Sequence, residues 1–307
     1  MTVTSRAPVR IDFGGAWTDV DIFARSAGGV VLNATIDQYV TGSLRALESS
    51  GQNADSREGL NVSYGFDLPS GSGLGTSATL NVVWLSLIKS RIAGDEDRKQ
   101  IAELAYQLEA MLGILGGKQD QYAAALGGFN LMHFGADGVI VEPLAVPEET
   151  VRALESRSVL CYTGKPRLSG SIHENVWGAF RQGRAETVTA LYKLRDIALR
   201  MKDPLLCGDI DAFADLLSEN WACQRALDPS VTNPQIESLF EAARAAGARG
   251  GKACGAGGGG CLYFVTEPGR QGAVAAALQA GGARRIDFAF ESDGLTVAVE
   301  ADAEAVP

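Results

Sequence analysis

Histidine is nearly absent from this chain: there are two, His133 and His173, among 307 residues. They stand far apart and in no metal-ligand spacing, which argues against a zinc site and against a Ser-His-Asp hydrolase. The five cysteines, Cys161, Cys207, Cys223, Cys254 and Cys261, are odd in number and form no CxxC pair. With no signal-peptide pattern at the start, they read as reduced thiols of a cytoplasmic protein. Long apolar runs are missing too. The longest, within Leu74–Ile88, is interrupted by Thr76, Ser77, Thr79, Asn81 and Ser86 and is too short and too polar to cross a bilayer. Positive charge is in deficit, 27 Lys and Arg against 37 Asp and Glu, for a net charge of −10. That balance argues against nucleic acid or an anionic membrane as partner. A polyanion bound here is bound locally, by backbone N–H groups, a few cations and a metal.

Glycine is abundant, at 37 residues, and it is clustered in loops rather than periodic, which excludes a collagen-like chain. With 46% hydrophobic and 21% charged residues, the composition fits one large or two moderate globular domains. The alternation of Val9, Ile11 and Phe13 predicts a strand over residues 3–13, with Arg10 and Asp12 on its other face. Gly14-Gly15-Ala16-Trp17-Thr18-Asp19 is a turn ending in a carboxylate. Val30–Ile36 and Tyr39–Leu44 read as a hairpin or bent strand pair, and 49–59 as a loop. Helices are predicted over Thr79–Lys89 and onward from Asp95, the latter burying a face of Ile101, Leu104, Ala105, Leu108 and Leu112 with Glu109 at its edge. A short helix follows Lys118, and Phe129–Phe134 with Val139–Val141 forms a hairpin.

Pro143–Pro147 marks the first domain boundary, giving units 1–150 and 151–307. The second unit reads as a strand over Ser158–Tyr162 and mostly helix over Ser169–Arg200, with breaks at Gly178 and Gly183. Helices over Asp211–Ala222 and 234–247 come next. A strand over Cys261–Val265, a helix over Gly272–Ala280 and strands over Ile286–Phe290 and Leu295–Val299 complete it.

Two glycine-rich stretches stand out. Pro69-Ser70-Gly71-Ser72-Gly73-Leu74-Gly75-Thr76-Ser77-Ala78 precedes a helix, where a glycine turn and unpaired N–H groups favour an anion such as a polyphosphate. It lacks the Gly-Lys-Ser/Thr ending of a Walker A loop, and on its own it reads equally as a capped helix start. The second, Gly250–Gly260, runs into a strand. Glu109 has no lysine or arginine within a helical turn, so a metal or a distant cation would have to neutralise it if it is buried; a solvated edge glutamate is the bland alternative. Asp120 opens the next helix, where a carboxylate cap is the bland alternative. Trp17 reads equally as a sugar-stacking ring or as a packed turn residue, and His173 and Trp177 read as core or helix-edge residues.

Taken together, Arg6–Gly15, Pro69–Ala78 and Lys252–Gly260 resemble, in order, the three motifs of the GHMP kinases, the superfamily of galactokinase, homoserine kinase and mevalonate kinase. Thr76 replaces the first serine of the second motif. Gly116–Gly128 is most similar to the sugar-kinase branch that phosphorylates D-glycero-D-manno-heptose 7-phosphate, while Ala16-Trp17 resembles the first motif of the L-fucokinases.

The resemblance implies an α+β, two-domain fold: an N-terminal mixed sheet with helices and a C-terminal ferredoxin-like α/β sandwich. It implies an ATP- and Mg²⁺-dependent kinase acting on a sugar or sugar phosphate, at the anomeric C1 hydroxyl of a heptose 7-phosphate, with L-fucose, another free sugar or a small alcohol as the alternative acceptor. A non-catalytic regulator binding sugar and ATP ranks lower, and a dinucleotide oxidoreductase last. Pro69, Ser70, Gly71, Ser72, Gly73, Leu74, Gly75, Thr76 and Ser77, with Gly257 and Gly258, would hold ATP. Ser77 and Glu109, eleven residues before Asp120, would hold Mg²⁺. Asp120 and Arg10 would be catalytic. Asp19, Trp17, Thr18, Lys118, Arg167, Cys254 and Gly255 would line the acceptor site. A homodimer is left open.

Overall fold

The computed structural model describes residues 1–47, 59–69, 71–165 and 169–300. The chain begins with strand β1 (Thr2–Gly14), helix α1 (Asp21–Ala27), strands β2 (Gly29–Leu47) and β3 (Gly59–Phe66), and helices α2 (Thr76–Lys89), α3 (Asp95–Met111) and α4 (Gln119–Leu126). Strands β4 (Phe129–Gly135) and β5 (Gly138–Pro143) follow, then α5 (Glu148–Arg157), β6 (Ser158–Tyr162), α6 (Ser169–Arg181), α7 (Ala185–Cys207), α8 (Ile210–Arg225) and α9 (Pro234–Ala246). The chain continues with β7 (Ala248–Ala253), β8 (Cys261–Thr266), α10 (Gln271–Ala280), β9 (Arg284–Ile286) and β10 (Thr296–Glu300). Among the described residues these strands form two antiparallel sheets. One has the order β10-β1-β2-β4-β5 with β3 also on β2, and the other the order β7-β8-β6-β9.

β2 is a single long strand rather than a hairpin. Asp37 and Gln38 bulge out of it, since Pro8 faces Tyr39 and the next residue, Val9, faces Ile36. That bulge receives the end of the chain: Ala289 N–H donates to Asp37 Oδ1 (2.8 Å), and Ile36 bridges Phe290. The predicted strand over 286–290 is therefore divided, with Ile286 ending β9 in the second sheet and Phe290 lying on the first. β10 then returns to β1, so residues 288–300 cross the boundary drawn at 150. In the second half, Gly178 does not interrupt α6; the helix ends at Arg181 and the turn falls at Gly183.

The two sheets share one apolar core. Phe13, at the end of β1, is fully buried, with ring centroids 5.2 Å from Phe213, 5.5 Å from Tyr263 and 6.0 Å from Phe290. Burying such a ring is worth about 1.5–3 kcal/mol, and here it joins α8, β8 and the C-terminal segment onto β1. The strand that carries Arg10 and Asp12 thus runs along the junction between the two halves of the chain.

α3 buries a face other than the predicted one. Ile101, Ala102, Ala105 and Glu109 are inside, whereas Leu104 and Leu112 are 52% and 68% exposed. The stripe is rotated, and Glu109 lies within it rather than at its edge. α2 begins at Thr76, three residues before the predicted start, so Thr76 and Ser77 occupy its first turn, where helix N–H groups have no partner within the helix.

Candidate active site

Three segments converge at the N-terminal ends of α2 and α4. From β1, the Arg10 backbone N–H donates to Leu74 O (3.1 Å), and its guanidinium Nη1 donates to Gly73 O (2.9 Å), which fixes the phosphate-loop candidate to the strand. The same guanidinium meets Asp120 on α4, through Nε to Oδ1 at 2.9 Å and Nη2 to Oδ1 at 2.6 Å. Burial works against the charge on Arg10, but Asp120 and then Asp12 more than offset it and hold the guanidinium above its ordinary value. Asp120 makes no helix cap here; its carboxylate turns to Arg10 and stays 21% exposed. Gly75 (φ 84°) passes over that carboxylate so closely that a Cβ would sit 3.1 Å from Asp120 Cγ. Only glycine serves at this point of the loop.

A cavity of about 570 Å³ opens above this pair. Gly71, Ser72, Gly73, Gly75, Thr76 and Ser77 form one wall, and Glu109, Gln119, Asp120 and Gln121 form its floor. Ser77 is exposed to the cavity, while Thr76 is buried with its Oγ1 3.0 Å from Ser72 Oγ. Glu109, 8% exposed, accepts from Asn81 Nδ2 (2.9 Å) and Gln121 Nε2 (2.8 Å), both neutral amides. Its burial, together with the negative charge of Asp120, raises this carboxyl to about 7.

The opposite wall comes from the turn after β1 and from α6. Asp19 is 3% exposed and accepts from the Gln119 backbone N–H (3.1 Å). A Cβ on Gly117 would strike its Oδ2 at 1.8 Å, so the chain before α4 can pass Asp19 only as glycine. Burial first and Asp120 second push the Asp19 carboxyl up to about 7. Trp17 takes the packed-turn role. It is packed, at 3% exposure and φ 82°, against His173 (centroids 4.5 Å apart) and Trp177 (5.9 Å), and it also lines the cavity. His173 and Glu174 of α6 line the cavity as well. From the sequence, His173 reads only as a core or helix-edge residue and Glu174 has no reading, because their helix comes to the turn only through the tertiary fold.

Several expected residues lie elsewhere. Lys118 Nζ is turned away, 3.4 Å from Glu103, 3.9 Å from Asp21 and over the Tyr106 ring, because these groups give a cation a better setting than open solvent. Thr18 is buried, its hydroxyl donating to Gly15 O and accepting from Val30 N–H, and so shapes the turn. Leu74 is a fully buried core residue, and Pro69 is outside the cavity lining. Gly257 and Gly258 pack against Val231 and Ile172 rather than the cavity; Gly255 and Ala256 are the residues of that stretch that line it, while Cys254 is buried beneath. Ser70 and Arg167 lie outside the described residues.

Comparison with known proteins places the chain in a family. Residues 38–128 match the GHMP kinases N terminal domain and residues 183–284 the GHMP kinases C terminal domain. The chain is 31% identical to the D-glycero-alpha-D-manno-heptose 7-phosphate kinase of Campylobacter jejuni, covering 96% of this chain and 98% of that protein. It is 26% identical to the bifunctional fucokinase/GDP-fucose pyrophosphorylase of Arabidopsis thaliana over 85% of this chain and 29% of that one. The crystal structure of a D-glycero-D-manno-heptose 1-phosphate kinase from Bacteroides thetaiotaomicron superposes with a TM-score of 0.76 at 29% identity, covering 98% and 100% of the two chains. The fold, the ordered motifs and these matches together make the chain a member of the GHMP kinases, phosphotransferases that take a hydroxyl group as acceptor.

Proposed function

We propose that the chain transfers the γ-phosphoryl group of ATP to a hydroxyl of a sugar phosphate, and we take the C1 hydroxyl of a heptose 7-phosphate as the acceptor, a reading supported by the similarity to a heptose 7-phosphate kinase. The observation that carries this is the Arg10–Asp120 pair set between a glycine loop at a helix start and the buried carboxylate of Asp19. The backbone N–H groups of 71–77 and the first turn of α2 would take the triphosphate. Asp19 would accept hydrogen bonds from sugar hydroxyls. Asp120 would receive the proton of the attacking hydroxyl as its oxygen bonds to the γ-phosphorus and ADP departs. Arg10 would hold Asp120 in place and oppose the charge that builds on the transferred group. The two domains would divide near residue 150, with 288–300 returning to the first.

The donor set suits Mg²⁺. Among the described lining residues, four carboxylates (Asp19, Glu109, Asp120, Glu174) face one guanidinium, so a polyphosphate enters only with its own cation. Glu109 has only neutral partners, and Ser77 offers an exposed hydroxyl. Mg²⁺ is commonly held by one or two protein oxygens together with substrate phosphates. Bound there, it would neutralise charge on the phosphates.

A second reading keeps the chemistry and takes an unphosphorylated sugar such as L-fucose. It is favoured by the position of Lys118, which is held by Glu103 and Asp21 away from the acceptor. A panel of heptose 7-phosphate, heptose 1-phosphate, L-fucose, galactose and mevalonate with Mg²⁺·ATP separates the two. Turnover confined to a free sugar overturns the sugar-phosphate assignment, and absence of transfer to any of the five overturns the proposed acceptor class.

A further inference from the structure

β1 carries a second charge on the Arg10 face, two residues on. Asp12 and Lys252 of β7 are both fully buried. Lys252 Nζ donates to the Asp12 carboxylate, to Asp12 O (3.0 Å) and to Ala253 O (2.9 Å), which uses all three of its protons. The other carboxylate oxygen, Oδ1, accepts from the Gly255 N–H (2.8 Å) and lies 3.8 Å from Arg10 Nη1. Four charges of alternating sign therefore run in sequence through the junction: Asp120, Arg10, Asp12 and Lys252.

A buried ion pair is a weak source of stability, because apolar residues of the same volume commonly serve the fold as well. Its geometry gives it a different use. The pair fastens residues 252–255 to β1, and the same stretch leads to Gly255 and Ala256 on the cavity wall. Beyond it, Cys261 N–H donates to Ser72 O (2.6 Å), so this stretch also braces the phosphate loop from behind. Arg10 thus stands between a loop that the pair indirectly supports and a carboxylate that the pair directly fixes.

We infer that Asp12 and Lys252 are positioning residues for phosphoryl transfer: they hold Arg10 and the 252–261 stretch in register with Asp120 and act on the transition state rather than on substrate binding. The inference rests on the kinase function proposed above. A displacement of a fraction of an ångström in such a frame lowers turnover while leaving ground-state contacts in place, and misplacement of about 1 Å costs up to about 10²-fold.

The test is a cycle of Asp12→Asn, Lys252→Met and the double variant, assayed with Mg²⁺·ATP and whichever acceptor the wild type turns over. The double variant buries no unpaired charge and is the one expected to fold best. Its kcat should fall about 10- to 100-fold, with KM for ATP and for the acceptor within about three-fold, and the losses should be non-additive, as for residues acting as a unit. Wild-type kcat in a folded double variant, a loss confined to KM, or additive losses would overturn the inference.

Hydrogen exchange on the ligand-free wild type tests it without any variant. The Gly255 amide should exchange among the slowest of the chain, and rapid exchange slowed only by ATP would mean that the pair does not hold the stretch. A wild type with no turnover on any acceptor overturns the kinase function itself, whereas an active wild type with an indifferent double variant overturns the positioning role alone.

Discussion

Glu109→Gln should make the metal-free protein more stable while disabling it. The carboxyl titrates at about 7 in the fold against an ordinary 4.5, because burial and the neighbouring Asp120 charge penalise its ionised form. A raised acid binds its proton more tightly folded than unfolded. Wild-type stability therefore falls as pH rises from about 4.5 toward 7, and the penalty is fully present above that. The gap between those values corresponds to about 3 kcal/mol at pH 8 and to under about 1 kcal/mol at pH 5. Glutamine carries no such penalty. Its amide needs an acceptor where Glu109 has two donors, and the Gln121 amide supplies one by turning over, since its buried Oε1 has no partner among the described residues. Allowing about 1 kcal/mol for imperfect geometry in that exchange, the variant should gain about 2 kcal/mol at pH 8.

Thermal melts in EDTA from pH 5 to 8.5 measure this directly. The variant should melt about 3 °C above wild type at pH 8, with the difference shrinking toward zero at pH 5. Added Mg²⁺·ATP should reverse the order, because only the carboxylate form gains from the cation and ligand binding stabilises the wild type by mass action. A variant that melts with or below wild type at pH 8, or a difference that does not change with pH, refutes the account of Glu109 as an ionised group held ready for a metal.

Asp120→Asn should lower kcat about 10²- to 10⁴-fold while ATP affinity, measured by calorimetry, stays within about three-fold; near-wild-type turnover removes Asp120 from the chemistry. Gly75→Ala places a methyl 3.1 Å from Asp120 Cγ at φ 84° and should cost about 1–2 kcal/mol in the backbone together with a large loss of kcat. Gly183→Ala, at φ 69° with nothing within 4 Å, should show the backbone cost alone, and equal kcat for the two variants would deny the contact its importance. Asp19 titrates at about 7, and in the proposed acceptor role its carboxylate would hold sugar hydroxyls more strongly than its neutral acid, so wild-type kcat/KM for the acceptor should rise with pH through 7. Asp19→Asn should raise the acceptor KM about 10- to 100-fold, the worth of a charged hydrogen bond, and should remove the part of that rise that belongs to KM; an unchanged acceptor KM would place the sugar elsewhere.

Local pattern was a good guide wherever one element settles its own neighbours. The alternation of Val9, Ile11 and Phe13 marks β1, and the hairpin read over Phe129–Phe134 and Val139–Val141 is β4 paired with β5. It failed where tertiary packing decides. α3 has leucines on two sides, and the chain spends Leu104 and Leu112 on solvent so that Ile101, Ala102, Ala105 and Glu109 can face inward. Period alone does not distinguish these stripes, because a small alanine face is chosen for how closely α4 and α2 approach it rather than for how apolar it is. The divided segment 286–290 failed for the same reason: Phe290 has strand-like chemistry but pairs with a bulge in β2 that only the assembled sheet creates.

In the site, the sequence was informative about backbone and poor about partners. A glycine that must pass a carboxylate leaves a local mark, and Gly75 and Gly117 both stand in the motifs for that reason. A side chain's neighbours leave none. Glu109 finds Asn81 and Gln121, 28 and 12 residues away, and Asp12 finds Lys252 across 240. The absence of a local cation beside Glu109 suggested a metal or a distant base; among the described residues its partners are two amides. That choice matters chemically. An arginine at this position would have held the carboxylate ionised at every working pH and left it little to offer a cation. Two neutral donors orient the oxygens while leaving their charge uncompensated, which is the condition for strong metal binding and also the source of the stability cost. Arg10 makes the complementary case: it is committed on one side to Asp120 and Gly73 and lies within 3.8 Å of Asp12 on the other, so its position is set before any phosphate arrives. A site built this way divides its charges into one kind fixed by the fold and another left for the ligand, and the positions of that division lie in contacts between residues far apart in the chain.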